Sequence, residues 1–474
     1  MAVQSISGRV RRYPEFAVQY RGTRCCHDNI VYERMIFMSE LILKCGAARE
    51  DITPPVGTLL YGYNPHQVST SIHDRLNLTA VLFGQRDEYA LLVTMTVGDI
   101  QNELCGELRT IAGSELGLSP SRVIICATHT HSAPNVAGFE GWGEIDREYV
   151  DGILISALKR AVRRAFDSLE PAELAVGETE SKIGVNRRQL ARDGSILFGQ
   201  NQWGAYDPTL TCIAVRAVET GRGIVNLIHY GCHGTAAGCN QEISRDWSGV
   251  MCDRLEAVTH TLTAFWNGAI GDVGPRLTNG GTTGDIHYVE ELGGFAAADA
   301  LRAYNACGRY AAAGLEVCEG EVILPYKPLP PLDEVEARLR AYDDPEKLYN
   351  IDGLRYNHYR SIKAEYDAGL PNAGGRFGYQ QTLIRLGDIM FVPHPFEVFS
   401  EICLRLREYL PARYVLNLSN ANGYNGYLPT EDQLVRGGYE VEVFAHAGVY
   451  TLVDNADQVL INENLRIAQD FGKQ

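Results

Sequence analysis

The sequence lacks any apolar run long enough to span a membrane. Its apolar stretches, such as Tyr89–Val93 and Ile389–Val392, are far shorter than the roughly 20 residues that a bilayer requires. The first residues, MAVQSISGRVRRYPEF, also lack the apolar segment of a standard secretory signal. We therefore predict a cytoplasmic protein without stable membrane insertion.

Paired cysteine motifs and an excess of basic residues are also missing. The 12 cysteines form no Cys-x-x-Cys pair, so neither a disulfide scaffold nor a zinc ribbon is indicated. We interpret them as mostly buried thiols in a reducing compartment. There are 59 acidic side chains against 43 basic ones, and the formal net charge is -16. This balance argues against a nucleic-acid partner and against attraction to an anionic membrane.

The composition itself is that of a globular protein, with 45% hydrophobic and 22% charged residues. A length of 474 residues allows two domains or one large domain with a sizeable core. Residues 1–37 are rich in arginine and show no sustained hydrophobic period. We predict an N-terminal extension there and one domain over residues 38–474.

Strand and helix signals alternate after Met38 and predict a mixed α/β fold, with β-sheets flanked by helices. The clearest helix, Tyr149–Leu169, carries one continuous apolar stripe, and a second helix is predicted at Phe396–Leu410. The charged, tyrosine-rich segment Leu332–Ala368 is predicted to be a helical insertion that acts as a lid. Strand-like runs lie at Val81–Phe83, Tyr89–Val97, Arg122–Ala127, Thr211–Val218, Gly223–Tyr230, Ile389–Val392 and Val415–Leu418.

Two histidines, His129 and His131, follow the buried run Arg122–Ala127. Residues i and i+2 of a strand share a face, so both imidazoles could converge on one metal ion. One of them could equally bind the metal while the other transfers protons. The alternative without a metal is that both histidines are polar residues at a strand end and form hydrogen bonds with the backbone.

A second cluster lies in the glycine-rich segment after the strand-like run 224–228. It contains His229, His233 and Asp246. A neutral imidazole is a good zinc ligand, and a nearby carboxylate can fix its tautomer. From the residues alone, either histidine could be the ligand, and His229 could instead pack in the core.

Two further segments carry polar side chains that could belong to a functional site. Glu397 follows Pro393-His394-Pro395-Phe396 at the predicted start of a helix, where a carboxylate is favoured by the helix dipole alone. A glycine-rich turn presents Tyr424 and Tyr427, and a tyrosine in such a turn most often forms a hydrogen bond at the rim of a site.

In their order and spacing these segments resemble the N-terminal catalytic domain of the neutral/alkaline non-lysosomal ceramidase family. The resemblance spans residues 42–445. The matching stretches are GAAREDITPP with GYNP (46–65), IHDRLNLTAVLF (72–83), THTHSAPN (128–135), VNRR (185–188), HYGCHGT with SRDWSG, GAIGDVGP (268–275), FVPHPFE (391–397) and NGYNGYLPTEDQLVRGGYEVE (422–442).

The resemblance implies a mononuclear zinc site, with one Zn²⁺ per chain. The family's ligand positions match His129, His233, Glu397 and Tyr427, and the alignment of the CHGT stretch favours His233 over His229. Two imidazoles, a carboxylate and a phenol oxygen make a zinc sphere that still leaves room for water.

The same resemblance assigns roles to residues around the metal. His131 is expected to act as general acid and base, and Arg187 to steady an oxyanion or a polar group of the substrate. Asp99 and Asp246 are expected to support the ligands from behind. Tyr439 is expected to donate a substrate hydrogen bond, although a structural role fits it equally well.

The sequence departs from the family at one functional position. The family carries an important serine in its GDVSP segment, whereas this chain has Gly274 between Val273 and Pro275. A mechanism that uses water activated by zinc survives this loss, and a serine-dependent mechanism does not. Because the sequence ends soon after the tyrosine motif, we also expect a member without the family's immunoglobulin-like domain.

These observations predict a zinc-dependent amidohydrolase, an enzyme that acts on a small-molecule amide. Because no cationic amphipathic helix is visible, we expect a linear, non-peptide amide smaller or more soluble than ceramide. The same site could instead serve ester cleavage, lactam opening or amide formation. A non-catalytic relative that binds zinc or a ligand is the third alternative.

Overall fold

Helices and strands alternate along the chain in a computed structural model, which describes residues 42–138, 143–342, 350–369 and 375–473. The predicted N-terminal extension, residues 1–37, lies outside the described residues. No helix in these ranges is both long and apolar enough to cross a membrane. The ten cysteines within them are free thiols, and most are buried.

The strands are numbered along the described chain. They are β1 (Lys44–Asp51), β2 (Ser71–Ile72), β3 (Asn77–Gln85), β4 (Glu88–Met95), β5 (Val123–Ala127), β6 (Glu170–Glu180), β7 (Gly184–Leu190), β8 (Ile196–Asn201), β9 (Thr209–Ala217), β10 (Gly223–Tyr230), β11 (Glu242–Ile243), β12 (Leu262–Asn267), β13 (Val273–Pro275), β14 (Leu315–Pro325), β15 (Arg376–Leu386), β16 (Ile389–Pro393), β17 (Glu397–Val398), β18 (Tyr414–Leu418) and β19 (Tyr427–Leu428).

The α-helices are numbered in the same way, and a 3₁₀ turn at Pro120–Arg122 precedes β5. They are α1 (Asn102–Ser114), α2 (Arg147–Tyr149), α3 (Ile155–Asp167), α4 (Asp246–Thr259), α5 (Ile286–Asn305), α6 (Leu332–Ala341), α7 (Ile351–Asp367), α8 (Ser400–Tyr409), α9 (Glu431–Leu434), α10 (Tyr439–His446) and α11 (Ala456–Ala468).

The largest sheet has eight strands in the order β12-β10-β9-β6-β1-β3-β4-β5. Its outer pairs, β10 with β12 and β4 with β5, are parallel, whereas the pairs between them are antiparallel. A second sheet, β14-β15-β16-β18, is mixed in the same way. The prediction of a mixed α/β fold is therefore confirmed.

Both sheets bury both of their faces. The core therefore has four layers: helices, the large sheet, the second sheet and further helices. Helices α1 and α3 cover one face of the large sheet, where Leu104 and Leu158 pack against strand residues such as Leu91. Its opposite face packs against the second sheet through side chains such as Trp266 and Phe391. Helices α8, α10 and α11 cover the far side of the second sheet. Strands buried on both faces account for the continuous apolar runs in the sequence.

The helix predicted at Tyr149–Leu169 is more complex than its apolar stripe indicates. It begins with α2, passes through one π-helical stretch at Val150–Leu154 and continues as α3 to Asp167. Most of the predicted apolar stripe is buried, with Leu158, Ala161 and Val162 inside the core, but Phe166 at its end is exposed. The π-helical stretch leaves no mark in the hydrophobic period, which explains why the sequence did not reveal it.

The predicted helix Phe396–Leu410 begins four residues late, at Ser400. The preceding residues Glu397 and Val398 form β17, which pairs in parallel with β19, so that Glu397 lies directly opposite Tyr427. Glu397 is thus a strand residue rather than a charge in the first helical turn. This pairing brings together two of the predicted ligands.

The segment Leu332–Ala368 is helical where it is described, as α6 and α7. Helix α7 packs against α10, where Arg355 pairs with Glu442 and His358 Nδ1 lies 2.7 Å from the Gly448 carbonyl oxygen. The segment is therefore placed beside the strand pair β17–β19 and the tyrosines that follow it.

Candidate metal centre

The site forms where two loops leave the large sheet. The loop after β5 carries His129, and the loop after β10 carries His233. A short parallel bridge between Thr130 and Gly234 joins the two loops, and the His131 amide donates to the Gly234 carbonyl at 3.2 Å. This bridge brings together histidines that lie far apart in the sequence.

His129 adopts a left-handed backbone conformation, with φ at 62°. Non-glycine residues rarely occupy this region, and such strain is concentrated at functional sites. Strand β5 has already ended at Ala127, so His129 and His131 do not share a strand face as predicted. The turn at His129 nevertheless brings the two Nε2 atoms to 3.2 Å from each other.

Two further side chains, His233 and Glu397, complete the cluster. Glu397 Oε2 lies 3.0 Å from His233 Nε2 and 3.6 Å from His129 Nε2. The described residues offer two overlapping sets of metal-binding atoms, each within 4.8 Å of one another: His129 with His131 and His233, and Asp99 with His129 and Glu397. The geometry therefore permits His131 to bind a metal as well as to transfer protons.

The second nitrogen of each predicted ligand histidine is already engaged. His129 Nδ1 lies 2.9 Å from the Asp99 carboxylate. His233 Nδ1 lies 2.8 Å from the Ile270 carbonyl oxygen and 3.1 Å from that of Val273. These contacts orient both rings and direct each Nε2 towards the cluster, as the outer hydrogen bonds of metal-bound histidines do.

Two atoms at the centre of the cluster lack hydrogen-bond partners among the described residues. They are His233 Nε2 and Glu397 Oε2, and both side chains are buried. Buried polar atoms are nearly always paired, because an unpaired one is costly. A cation between these atoms would satisfy both, so the residues present fit a metal ion.

The pKa shifts of the clustered side chains also favour a cation at this position. Burial raises the pKa of Glu397 to about 7, although the neighbouring His129 opposes this. Burial also lowers the pKa of His233 and of His131 well below the usual range, so both imidazoles are neutral and can donate a lone pair. For His129, the carboxylates of Asp99 and Glu397 overcome burial and raise the pKa. This negative field favours a cation.

Tyr427 is held at the site by a buried arginine. Arg187 Nη2 donates to Tyr427 Oη at 2.9 Å, and Arg187 Nε donates to Glu440 at 2.8 Å. The neighbouring Arg188 donates to the other oxygen of Glu440 at 2.7 Å. Burial raises the pKa of the Tyr427 phenol well above its usual range, and Arg187 acts against that rise.

The structure separates His233 from His229. His229 Nε2 lies 2.8 Å from the Asn417 carbonyl oxygen, and His229 belongs to neither candidate metal set. His233 alone of the two reaches Glu397. Of the two histidines that the sequence left open, His233 is therefore the one whose position suits a metal ligand.

Asp246 and Gly274 lie behind the loop that carries His233. The Asp246 carboxylate accepts hydrogen bonds from the Ala236 and Ala237 amides, at 3.2 and 2.8 Å, and so holds that loop in place. Gly274 lies in β13, where an added Cβ would lie only 2.7 Å from Thr282 Cβ. The Thr282 side chain therefore occupies the space that a side chain at position 274 would need.

The site contains residues that sequence reasoning did not assign. Tyr61 donates a hydrogen bond to Asp99, Tyr424 donates to Glu397 at 3.2 Å, and Glu440 anchors both arginines. All three lie in or beside the motifs quoted above, and their partners are distant in the chain. In the sequence, the one signal for these three residues was therefore their position in or beside a motif. That position did not indicate what each side chain contacts.

A cavity of about 40 Å³ opens beside the cluster. His129, His131 and Glu397 form its polar end, and Tyr439 also lines it. Helix α7 contributes Ile351 and Leu354 to the opposite side. A second cavity of about 230 Å³, lined mainly by aromatic side chains, shares Tyr424 and Tyr427 with the first as lining residues.

Comparison with known proteins identifies the family. The family model described as neutral/alkaline non-lysosomal ceramidase, N-terminal, matches residues 43–287, just over half of the chain. The chain therefore belongs to the neutral/alkaline non-lysosomal ceramidase family, a family of hydrolases, and the predicted resemblance is confirmed. No curated protein sequence matches the chain.

Two solved structures share the fold. Neutral ceramidase from Pseudomonas aeruginosa is 18% identical, with a TM-score of 0.68 over 90% of this chain and 75% of that one. A ceramidase described as complexed with C2 is 17% identical, with a TM-score of 0.69 over 91% of this chain and 76% of that one. At this identity the likeness establishes the fold of the chain.

Proposed function

We propose that this protein is a zinc-dependent hydrolase that cleaves a linear, non-peptide amide bond. Its substrate is smaller or more soluble than ceramide, and it acts in the cytoplasm. The observation that carries the proposal is the convergence of His129, His233 and Glu397, two of whose buried polar atoms face each other without hydrogen-bond partners. Family membership supplies the reaction class.

One Zn²⁺ per chain would be held by His129, His233, Glu397 and Tyr427. When bound, zinc lowers the pKa of a water molecule from 15.7 to about 7 and polarises the carbonyl that is attacked. Asp99 fixes the tautomer of His129, and the carbonyls of Ile270 and Val273 fix that of His233.

His131 is placed to move protons. Its Nε2 lies 3.2 Å from His129 Nε2, at the polar end of the cavity, and its lowered pKa keeps it neutral and able to accept a proton. It would then protonate the leaving amine. Arg187 holds the Tyr427 hydroxyl in place and supplies a buried positive charge close to the developing oxyanion.

The cavity supports a limit on substrate size. Ligand pockets usually enclose roughly 300–1,000 Å³, whereas this one has about 40 Å³ between the cluster and α7. Ile351 and Leu354 of α7 narrow it, so α7 serves as the lid that sets the length of the accepted chain. Leu354→Ala is expected to shift the preference towards longer N-acyl chains.

Two other functions fit the same side chains. Ester cleavage, lactam opening or amide formation would use the same electrophilic site, and a substrate panel separates them because one class should show saturable turnover. A non-catalytic zinc-binding relative would bind zinc and turn over none of these substrates.

The decisive experiment measures zinc and hydrolysis in the same preparation. We expect about one zinc per chain, and we expect hydrolysis of a linear N-acyl amide that is lost with a chelator and restored by zinc. His131→Ala should retain zinc and lose most of the activity, while the exposed control His66→Ala should retain both. A zinc-free chain that still cleaves the amide, or full activity in His131→Ala, would overturn the corresponding assignment.

A further inference from the structure

The loop between β18 and β19 places one more polar side chain against His129. Asn420 Nδ2 lies 2.9 Å from His129 Nδ1, and the same nitrogen lies 2.9 Å from a carboxylate oxygen of Asp99. All three side chains are buried. Asn420 and Asp99 therefore share the one nitrogen of His129 that faces away from the cluster.

The backbone of Asn420 joins the two chain segments that lead to proposed ligands. Its carbonyl oxygen accepts a hydrogen bond from the Ala127 amide at 3.0 Å, and its own amide donates to the Phe396 carbonyl oxygen at 3.1 Å. Ala127 ends β5 two residues before His129, and Phe396 directly precedes Glu397. Asn420 is thus bonded to the chain beside both ligands.

Asn420 adopts a left-handed backbone conformation, with φ at 52°. Glycine occupies this region without steric cost, and asparagine is one of the few other residues that enter it readily. A glycine at this position would therefore keep both backbone hydrogen bonds. What the asparagine adds is a side-chain amide that reaches His129, so the role of the side chain can be separated from that of the backbone.

The two neighbours of His129 Nδ1 require different tautomers of the imidazole. A carboxylate accepts hydrogen bonds, so Asp99 requires a hydrogen on Nδ1. An amide nitrogen donates, so Asn420 Nδ2 requires a lone pair there. In a neutral imidazole that lone pair would move the hydrogen to Nε2, the atom that faces His131 and Glu397. A protonated Nε2 could not bind a metal ion.

A half-turn of the Asn420 side-chain amide removes this conflict. It exchanges the positions of Oδ1 and Nδ2, and Oδ1 then accepts from the hydrogen on His129 Nδ1 together with Asp99. On the far side of the amide, Oδ1 is buried and has no hydrogen-bond partner among the described residues. No contact on that side therefore holds the amide in one orientation, and the hydrogen on His129 decides which atom faces the ring.

We propose that Asn420 is a positioning residue whose Oδ1 accepts from His129 Nδ1–H alongside Asp99 and thereby keeps Nε2 available to a metal ion. The inference rests on the metal ion of the proposed function and is independent of the reaction that is catalysed. Loss of a hydrogen-bond partner behind a metal-bound histidine typically weakens metal binding by about 10–100-fold. Asn420 shares this task with Asp99, so we expect the lower end of that range.

Competition for zinc with a chromogenic chelator tests the acceptor role. Asn420→Gly should weaken zinc binding about tenfold. Asn420→Asp, which keeps an acceptor and has no donor, should bind zinc as tightly as the parent chain. The matched control is Asn422→Gly: Asn422 is also left-handed, with φ at 64°, but its Oδ1 accepts from the Ile125 amide at 3.0 Å. The control should leave zinc affinity unchanged. Unchanged affinity in Asn420→Gly, or an equal loss in the glycine and aspartate variants, would overturn the proposal.

Neutron diffraction from crystals of the zinc-loaded parent chain in D₂O tests the same proposal without any variant. The map should place deuterium on His129 Nδ1 and show Oδ1 of Asn420 as the amide atom facing it. The Nδ2 atom in that place, with its deuterons directed at His129, would overturn the proposal. Zinc affinities that follow the expected order without hydrolysis of any amide would refute the proposed reaction and leave the role of Asn420 standing.

Discussion

The two sides of the cavity are built in different ways. The side that carries the cluster consists of the β17 residue Glu397 and of loop residues at the ends of buried strands, where Asp99, His129 and His233 are almost completely inaccessible to solvent. The opposite side consists of Ile351 and Leu354 on α7, and α7 is fastened to α10 by partly exposed contacts such as Arg355 with Glu442.

In the proposed function, the side with the cluster performs the chemistry and the helical side sets the selectivity. The ligand side is fixed by hydrogen bonds to backbone and carboxylate groups, so its geometry is set before any substrate arrives. The helical side is fastened to α10 and the segment after it by polar contacts, Arg355 with Glu442 and His358 with the Gly448 carbonyl oxygen. Substitutions on the two sides should therefore have effects of different kinds and sizes.

The largest effect is expected from removing a ligand on the fixed side. His129→Ala removes one of the proposed metal-binding nitrogens, the Nε2 that lies 3.6 Å from Glu397 Oε2. Zinc should fall from about one per chain to almost none, and amide hydrolysis should fall by at least ~10³-fold. Elemental analysis and initial rates measure both, with His66→Ala as the control. Retention of zinc in His129→Ala would contradict the assignment.

A smaller effect is expected from the carboxylate behind that ligand. Asp99→Asn keeps the shape of the side chain but removes the charge that orients His129 through Nδ1. Zinc affinity should fall by about 10–100-fold, measured by competition with a chromogenic chelator. The exposed control Asp193→Asn should leave it unchanged. An unaltered affinity in Asp99→Asn would mean that the contact does not orient the ring.

A larger side chain at position 274, behind the loop that carries His233, should destabilise the folded state. In Gly274→Ser the new Cβ would lie 2.7 Å from Thr282 Cβ, so the chain must shift. We expect a loss of about 1–3 kcal/mol in the free energy of unfolding, measured with urea. In the double variant with Thr282→Gly, the loss should be smaller than the sum of the two single losses. Strict additivity would show that Thr282 is not the obstacle.

The smallest effect is expected on the helical side. His446 and Arg355 lower the pKa of Glu442 to about 2, so this carboxylate stabilises the folded state above its unfolded pKa of about 4.3 and ceases to do so as the pH falls towards 2. Glu442→Gln should cost under about 1 kcal/mol at pH 7, because the contact is partly exposed.

Urea unfolding at pH 7 and at pH 2 checks this last prediction. The difference between Glu442→Gln and the parent chain should shrink as the pH falls, because the parent loses the same contact by protonation. A difference that stays constant with pH would mean that the charge of Glu442 is not what fastens α10 to α7.

The sequence predicts the elements and much of the candidate site. Hydrophobic period and length are local properties, and they located strands such as Ile389–Pro393 and the antiparallel pair β9–β10. The histidines drew attention because they follow strand-like runs, whereas Glu397 was expected at the start of a helix and entered the predicted ligand set through the family resemblance. The local sequence of such a family motif largely determines its backbone conformation.

What the sequence missed depends on contacts between distant segments. The pairing of Glu397 with Tyr427 is a parallel ladder that no local pattern encodes. The contact of Tyr61 with Asp99 and the anchoring of Arg187 by Glu440 likewise join segments that are far apart in the chain. The left-handed turn at His129 is imposed by its surroundings and is absent from residue preferences.

The pairing of β17 with β19 has a consequence for the order in which the protein matures. The matched family region ends at residue 287, whereas Glu397 and Tyr427 come from the last part of the chain. During synthesis, the histidines emerge from the ribosome long before the carboxylate and the phenol of the proposed centre. If the proposed ligands hold the metal, a nascent chain arrested before residue 427 should not retain the ion.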